Sequence, residues 1–352
     1  MDTLSLFQII WFVLWSVLWA VYFMLDGFVL GTGFMAGFLA KNDTEKRVLI
    51  NSVGPIWDGN EVWLVTAGGA TFAAFPTTYA LMFSNLYSAL ILLLFALIVR
   101  GVSFEFRGKI DSDVWRKSWD TAIIISSFLP ALLFGVAFGN IFKGIPMTNN
   151  FTTFNFSYDG SLIGLLNPYG LLTGVLFVLL FAVHGSLYAA IKTTGDLSKR
   201  GAEMANKLWL PLLVVAVAFL GYTYPATKLY DNYLKAPVLL IVPLIAVVSL
   251  LLIKVFIAKG SCHKAFLFSC FTIVFVVFTG VAGLFPNLIP SSIDPISNLT
   301  IFNSSSSLLT LKIMTGVVAV FLPIVISYKI WVYRLFRAPV TNEEVLGNSE
   351  SY

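Results

Sequence analysis

Charge is scarce in this sequence: of 352 residues only 11% are Asp, Glu, Lys or Arg, while 58% are hydrophobic and the mean hydropathy is +0.87. Ordinary soluble domains carry about a quarter charged residues, so a soluble globule is excluded. Histidine and cysteine are scarcer still, with only His184, His263, Cys262 and Cys270. A haem–copper core needs several intramembrane histidines, a zinc site three or four clustered ligands, and a disulfide scaffold several cysteine pairs. None of these fits, and neither a metal site nor a catalytic residue is expected in this chain. The net charge of +4 is small and scattered, without the basic face that nucleic-acid binding requires. The start, Met1-Asp2-Thr3, offers an acid and no Lys or Arg, unlike the basic start of a cleaved signal peptide. The first apolar stretch is therefore expected to stay in the protein.

Long apolar runs are abundant. A hydrocarbon core of ~30 Å takes about 20 helical residues, and runs of that length occur at roughly 7–40, 48–75, 77–100, 116–141, 162–191, 206–225, 236–258, 265–286 and 308–334. Backbone in lipid must satisfy its own hydrogen bonds, and no alternating ten-residue pattern points to a barrel. The expectation is an all-α polytopic membrane protein of nine transmembrane helices. Of the 22 Lys and Arg, all but Lys143, Lys228, Lys235 and Lys312 fall in one alternate set of loops. Basic loops stay cytoplasmic, which places the N-terminus outside and the C-terminus inside.

The chain also repeats itself. Span 4 leaves the membrane as Gly135-Val136-Ala137-Phe138-Gly139-Asn140-Ile141-Phe142-Lys143-Gly144-Ile145-Pro146, and span 8 as Gly280-Val281-Ala282-Gly283-Leu284-Phe285-Pro286-Asn287-Leu288-Ile289-Pro290. Spans 1 and 5 end in similar polar turns, Asn42 to Arg47 and Gly195 to Arg200. A shift of four helices preserves direction, so we expect two parallel four-helix units, 1–160 and 161–306. A ninth, peripheral span at 307–337 and a loose polar cytoplasmic tail at 338–352 complete the chain.

Ionisable groups in a membrane cost about 2.5–3.5 kcal/mol each on insertion scales and face the protein interior. Span 1 carries Asp26 and span 2 carries Asp58 and Glu61; counted along continuous helices from the inner ends, all three lie at similar depth. Asp58 and Glu61 are i and i+3 and share a face. Close carboxylates in a low dielectric resist ionising together, which leaves a protonatable acid able to relay protons. The alternative is structural: Asp58 caps a helix after Gly54-Pro55, and Asp26 bonds a neighbouring span. Glu105, Arg107 and Lys109 follow Arg100 at the inner end of span 3, either as a solvated interfacial run or as the inner mouth of the acid path. His184 has no second axial ligand within its unit and reads as a packing histidine, with haem ligation open only through a partner from elsewhere. Gly27/Gly31 and Gly33/Gly37 are two GxxxG pairs that allow close helix contact.

The stretch Gly54-Pro55-Ile56-Trp57-Asp58-Gly59-Asn60-Glu61-Val62-Trp63-Leu64, continued by Thr66-Ala67-Gly68-Gly69-Ala70 and Phe72-Ala73-Ala74-Phe75-Pro76, closely resembles subunit II of the cytochrome bd-type quinol oxidases. The resemblance extends to Asp26-Gly27-Phe28, Asn42-Asp43-Thr44-Glu45, the Gly135–Asn140 exit, Asn167-Pro168 and Pro290-Ser291-Ser292, and covers essentially the whole chain. It implies a respiratory complex of the prokaryotic inner membrane that oxidises quinol and reduces oxygen to water. In that family two b-type haems and one d-type haem belong to subunit I, the partner, and none to this chain. The resemblance leaves room for small single-span accessory subunits, and lipid surrounds the assembly. It further implies a cytoplasmic proton route at the subunit interface, matching Asp58, with Glu105 and Lys109 nearer the inner surface, and oxygen access near Trp63. Some members have Asp in place of Glu105, and many have a longer outer loop than Pro225–Pro237.

A reading of another class is a proton-coupled secondary transporter, which also uses repeats and midplane acids. Acids would then occur at corresponding positions of both units; spans 6 and 8 carry no Asp or Glu.

Overall fold

The computed structural model describes residues 2–150 and 155–347, and helices dominate it. In chain order they are α1 (Thr3–Leu39), α2 (Asp43–Val53), α3 (Trp57–Ala74), α4 (Pro76–Asn85), α5 (Tyr87–Phe106), α6 (Asp113–Lys143), α7 (Pro168–Lys192), α8 (Gly195–Ala226), α9 (Tyr230–Lys235), α10 (Ile241–Ala258), α11 (Cys262–Leu284), α12 (Leu308–Leu335) and α13 (Asn342–Gly347). Polar side chains set several starts by accepting orphan backbone N–H groups: Asp2 caps α1, Asn42 α2, Ser112 α6, Asn167 α7 and Ser307 α12. Among the described residues eight helices are long and apolar enough to cross a membrane: α1, α5, α6, α7, α8, α10 with the turn before it, α11 and α12.

The second expected span is broken. Gly54, Pro55 and Ile56 interrupt the helix, because proline brings no N–H and clashes with the preceding turn. The chain forms α2 and then α3, whose 18 residues reach ~27 Å. Depth counted from Arg47 along one helix is therefore replaced by position on α3, where Asp58 stands in the first turn. The third span is displaced as well: α4 takes residues 76–85, and α5 runs past Arg100 to Phe106.

Helix α1 is the axis of the molecule, packed against α3, α6, α7 and α11. Its two glycine pairs face different neighbours. A Cβ on Gly31 would stand 1.9 Å from the Phe181 carbonyl oxygen of α7, and one on Gly33 would stand 2.3 Å from Ser127 Oγ of α6. Only a bare backbone permits such approaches.

At one end of the bundle the helix exits form a cap. Strand β1 (Met147–Asn150) pairs with β2 (Asn155–Tyr158), and β3 (Asn287–Ile289) with β4 (Leu299–Thr300), both antiparallel. The two similar exits meet there, since Ile145 N–H donates to Pro290 O (3.0 Å) and Ser292 N–H to Ile145 O (2.9 Å). At the other end the segment after α12 is docked, not loose as the sequence implies. Lys192 Nζ donates to the carbonyls of Phe336 and Ala338, Val340 N–H returns to Lys192 O at 2.8 Å, and Val345 of α13 is buried. Residues 348–352 of the expected tail lie outside the described residues.

Candidate functional site

Two of the expected residues, Asp26 and Glu61, meet Arg100 at the side of α1. Asp26 and Arg100 are completely buried, and Glu61 is 24% exposed. One guanidinium nitrogen, Arg100 Nη2, lies 3.1 Å from both carboxylate oxygens of Asp26 and also donates to Glu61 Oε1. Tyr22, one turn before Asp26, donates its hydroxyl to Asp26 Oδ2 at 3.1 Å. Arg100 Nε and Nη1 find no acceptor among the described residues. The cluster thus joins α1, α3 and α5 through two carboxylates and one cation, with donors to spare.

Asp58 stands apart from this ion pair. It is exposed on the surface of the chain and its Oδ1 accepts the N–H of Gly59. It is not the helix cap, because Ile56 occupies that position and makes no side-chain bond. Next to it Asn60 is completely buried, donating to Leu25 O (2.9 Å) and accepting from the Tyr333 hydroxyl of α12 (2.9 Å). Trp63, one turn further along α3, is buried in the main core. Glu105 and Lys109 lie beyond Arg100 toward and past the end of α5, both exposed. Between them Arg107 is buried, bonded to Asp120 Oδ1 and Asp43 Oδ1 at 2.6 Å each, while Lys46 takes Asp120 Oδ2 at 2.8 Å. Asp120 is therefore committed to a pin between helix ends.

Glu45 makes a second pin, pairing with Arg200 of α8 at 2.6 Å. Burial pushes its carboxyl up, but Arg200 and the Lys41 N–H outweigh that and hold it below the usual range.

His184 is fully buried with both ring nitrogens engaged. Nε2 donates to Met24 O (3.0 Å), Nδ1 shares a hydrogen bond with Ser269 Oγ (2.6 Å), and Phe266 stacks on the ring at 4.7 Å. A nitrogen bound in this way has no lone pair free for iron, so the residue does not fit haem ligation. Among the described residues no group of three His, Cys, Asp or Glu side chains is arranged to hold a metal ion.

Residues 7–336 match the family described as cytochrome bd terminal oxidase subunit II. The chain belongs to that family. It is 37% identical over its full length, and over the full length of the relative, to cytochrome bd-I ubiquinol oxidase subunit 2 of Escherichia coli strain K12. It is 36% identical to cytochrome bd ubiquinol oxidase subunit 2 of Bacillus subtilis, over 95% of this chain and 97% of that one. The fold is similar to that in the structure of bd oxidase from Geobacillus thermodenitrificans, with a TM-score of 0.75 at 16% identity, covering 94% of this chain and 98% of the other. Family membership makes the chain a subunit of a terminal oxidase and a polytopic membrane protein.

Within this subunit II fold, sequence reasoning identifies Asp26 and Glu61 as intramembrane acids but misses their partner. Arg100 reads as an interfacial charge because the hydropathy falls there. The signal available was the apolar continuation Val102, Phe104 and Phe106, which keeps Arg100 inside the helix. Tyr22, at i−4 to Asp26, was legible by spacing, whereas Tyr333 was not, since nothing local ties α12 to Asn60.

Proposed function

We propose that this chain is the haem-free subunit of a quinol:oxygen oxidoreductase, seated against a haem-bearing subunit I, and that it brings protons from the cytoplasm to the site of oxygen reduction. The route runs from Glu105 and Lys109 near the inner surface past Asp58, with Glu61 and Asp26 set beside it by Arg100. The observation that carries this reading is the buried cluster Asp26–Arg100–Glu61 with Asp58 exposed beside it. A carboxylate open on a helix face at membrane depth needs a polar or protein neighbour, and a partner subunit supplies one. The spare N–H groups of Arg100 suit water along such a route.

Oxygen reduction to water consumes protons, and the haems of subunit I supply that chemistry. What this chain contributes is a carboxyl group that takes up a proton and passes it on. Oxygen access belongs near Trp63 on the same reading, and quinol and oxygen are substrates of the whole complex. Nine spans, with α3 as the one less apolar crossing, fit the arrangement. The starts of α1 and α12 lie at one end, where Gln8 donates to Ser305 Oγ at 2.7 Å, and α12 ends beside the last turn of α7. The paired exits at the cap support reading the chain as two units, 1–160 and 161–306, and the basic loops support an N-terminus outside.

Asp58→Asn keeps size and polarity while removing titration. The complex is expected to assemble with full haem content and to consume oxygen roughly tenfold or more slowly, measured as quinol-driven oxygen uptake per haem d. Glu61→Gln should cost less, since Asp26 still neutralises Arg100. Wild-type turnover in Asp58→Asn with assembly intact would remove Asp58 from the route and leave the chain a scaffold.

A further inference from the structure

Lys329 reads in the sequence as one more basic residue at the inner end of α12. It stands four residues before Tyr333, so the two share a helix face. That face meets the first turn of α3. Tyr333 reaches Asn60, and Lys329 Nζ lies over Gly59 so closely that a Cβ added there would stand 2.5 Å from it. The absence of a side chain at Gly59 is what admits the ammonium, which thus stands beside the residue that follows Asp58 on α3.

The other groups around the site are Asp26 and Tyr22 on α1, Glu61 on α3 and Arg100 on α5, with Tyr188 of α7 and Cys270 of α11 near Tyr333. Three carboxylates thus face two cations. Arg100 is taken by Asp26 and Glu61, and Lys329, lying over Gly59, is the cation set against the turn that carries Asp58. Helix α12 is otherwise mostly exposed, so packing alone does not dictate where this side chain goes.

We propose that Lys329 is a positioning residue of the proton route, its ammonium serving as the counter-charge that sets Asp58 on the first turn of α3. The inference rests on the proposed route through Asp58. A cation held over Gly59 orients the neighbouring carboxyl toward the groups between which it passes a proton. Span 9 thereby becomes part of the working site rather than a peripheral addition.

The test is quinol-driven oxygen uptake per haem d by the intact complex, with kcat and quinol KM measured separately. The variants are Lys329→Met, Lys329→Gln, Lys329→Arg, Asp58→Asn and the double variant Asp58→Asn with Lys329→Met. With full haem content, Lys329→Met and Lys329→Gln are expected to lower kcat roughly three- to tenfold, the size of coupling within one network of charges, and to leave KM unchanged. Lys329→Arg should return kcat to within about twofold, and Lys329→Met should add little to Asp58→Asn. Lys329→Met and Lys329→Gln at the wild-type rate while Asp58→Asn is slow would overturn the role of Lys329 and leave the route standing. A loss that recurs in full on top of Asp58→Asn, or that Lys329→Arg does not rescue, would also overturn it. Wild-type turnover in Asp58→Asn would overturn the route and the inference together.

Discussion

A guanidinium that satisfies two carboxylates in a buried site is difficult to replace. Arg100→Leu would leave Asp26, fully buried, with only the Tyr22 hydroxyl, and removing one partner of a buried pair costs about 3–5 kcal/mol. The variant is expected to assemble poorly, with low haem content and an earlier thermal transition in the purified complex. Arg100→Leu combined with Asp26→Asn should recover part of the loss, because the orphaned charge is gone. A single Arg100→Leu variant as stable as wild type would contradict the ion pair. At this scale the sequence was legible where chemistry was costly. Acids inside apolar runs announce themselves, whereas an arginine at the margin of such a run can belong to either side, and only the continuing helix decides.

Elements were legible through hydropathy and their partners were not. The GxxxG pairs of α1 signalled close approach, yet nothing in the spacing said that Gly31 meets α7 and Gly33 meets α6, since both neighbours are apolar throughout. The interruption of span 2 was marked by Gly54-Pro55, but the apolar residues on both sides carried the run across it. The close contact predicts an ordering of stability. Gly31→Ala forces a Cβ into the Phe181 carbonyl and Gly185 Cα, and overpacking of this kind costs typically 1–3 kcal/mol. Gly221→Ala and Gly316→Ala meet open space and should be neutral or slightly stabilising. Thermal melting of the three complexes checks this, and a Gly31→Ala variant that melts with or above the other two would contradict the packing of α1 on α7.

For the whole molecule, the asymmetry of basic residues and the contacts at the two ends bear on the same question. Gln8 of α1 and Ser305 ahead of α12 bond at one end, and Ser306 N–H donates there to Ala74 O at the end of α3 (2.9 Å). At the other end Arg200 Nε donates to Leu39 O (2.8 Å), Lys192 holds the chain after α12, and Arg107 and Lys46 gather Asp43 and Asp120. The first and last long helices therefore start together and finish together, the arrangement expected of the proposed nine crossings. Loops that carry Lys and Arg remain on the cytoplasmic side, so the end pinned by Arg107, Lys192 and Arg200 should be the inner one. A fluorescent protein fused after Gly347 is expected to fluoresce, and a phosphatase that folds only outside the inner membrane is expected to be inactive there and active when fused ahead of Thr3. Reporters that place both ends on one side would break the odd count, and the opposite pattern at each end would reverse the orientation and turn the proposed uptake route to face outward.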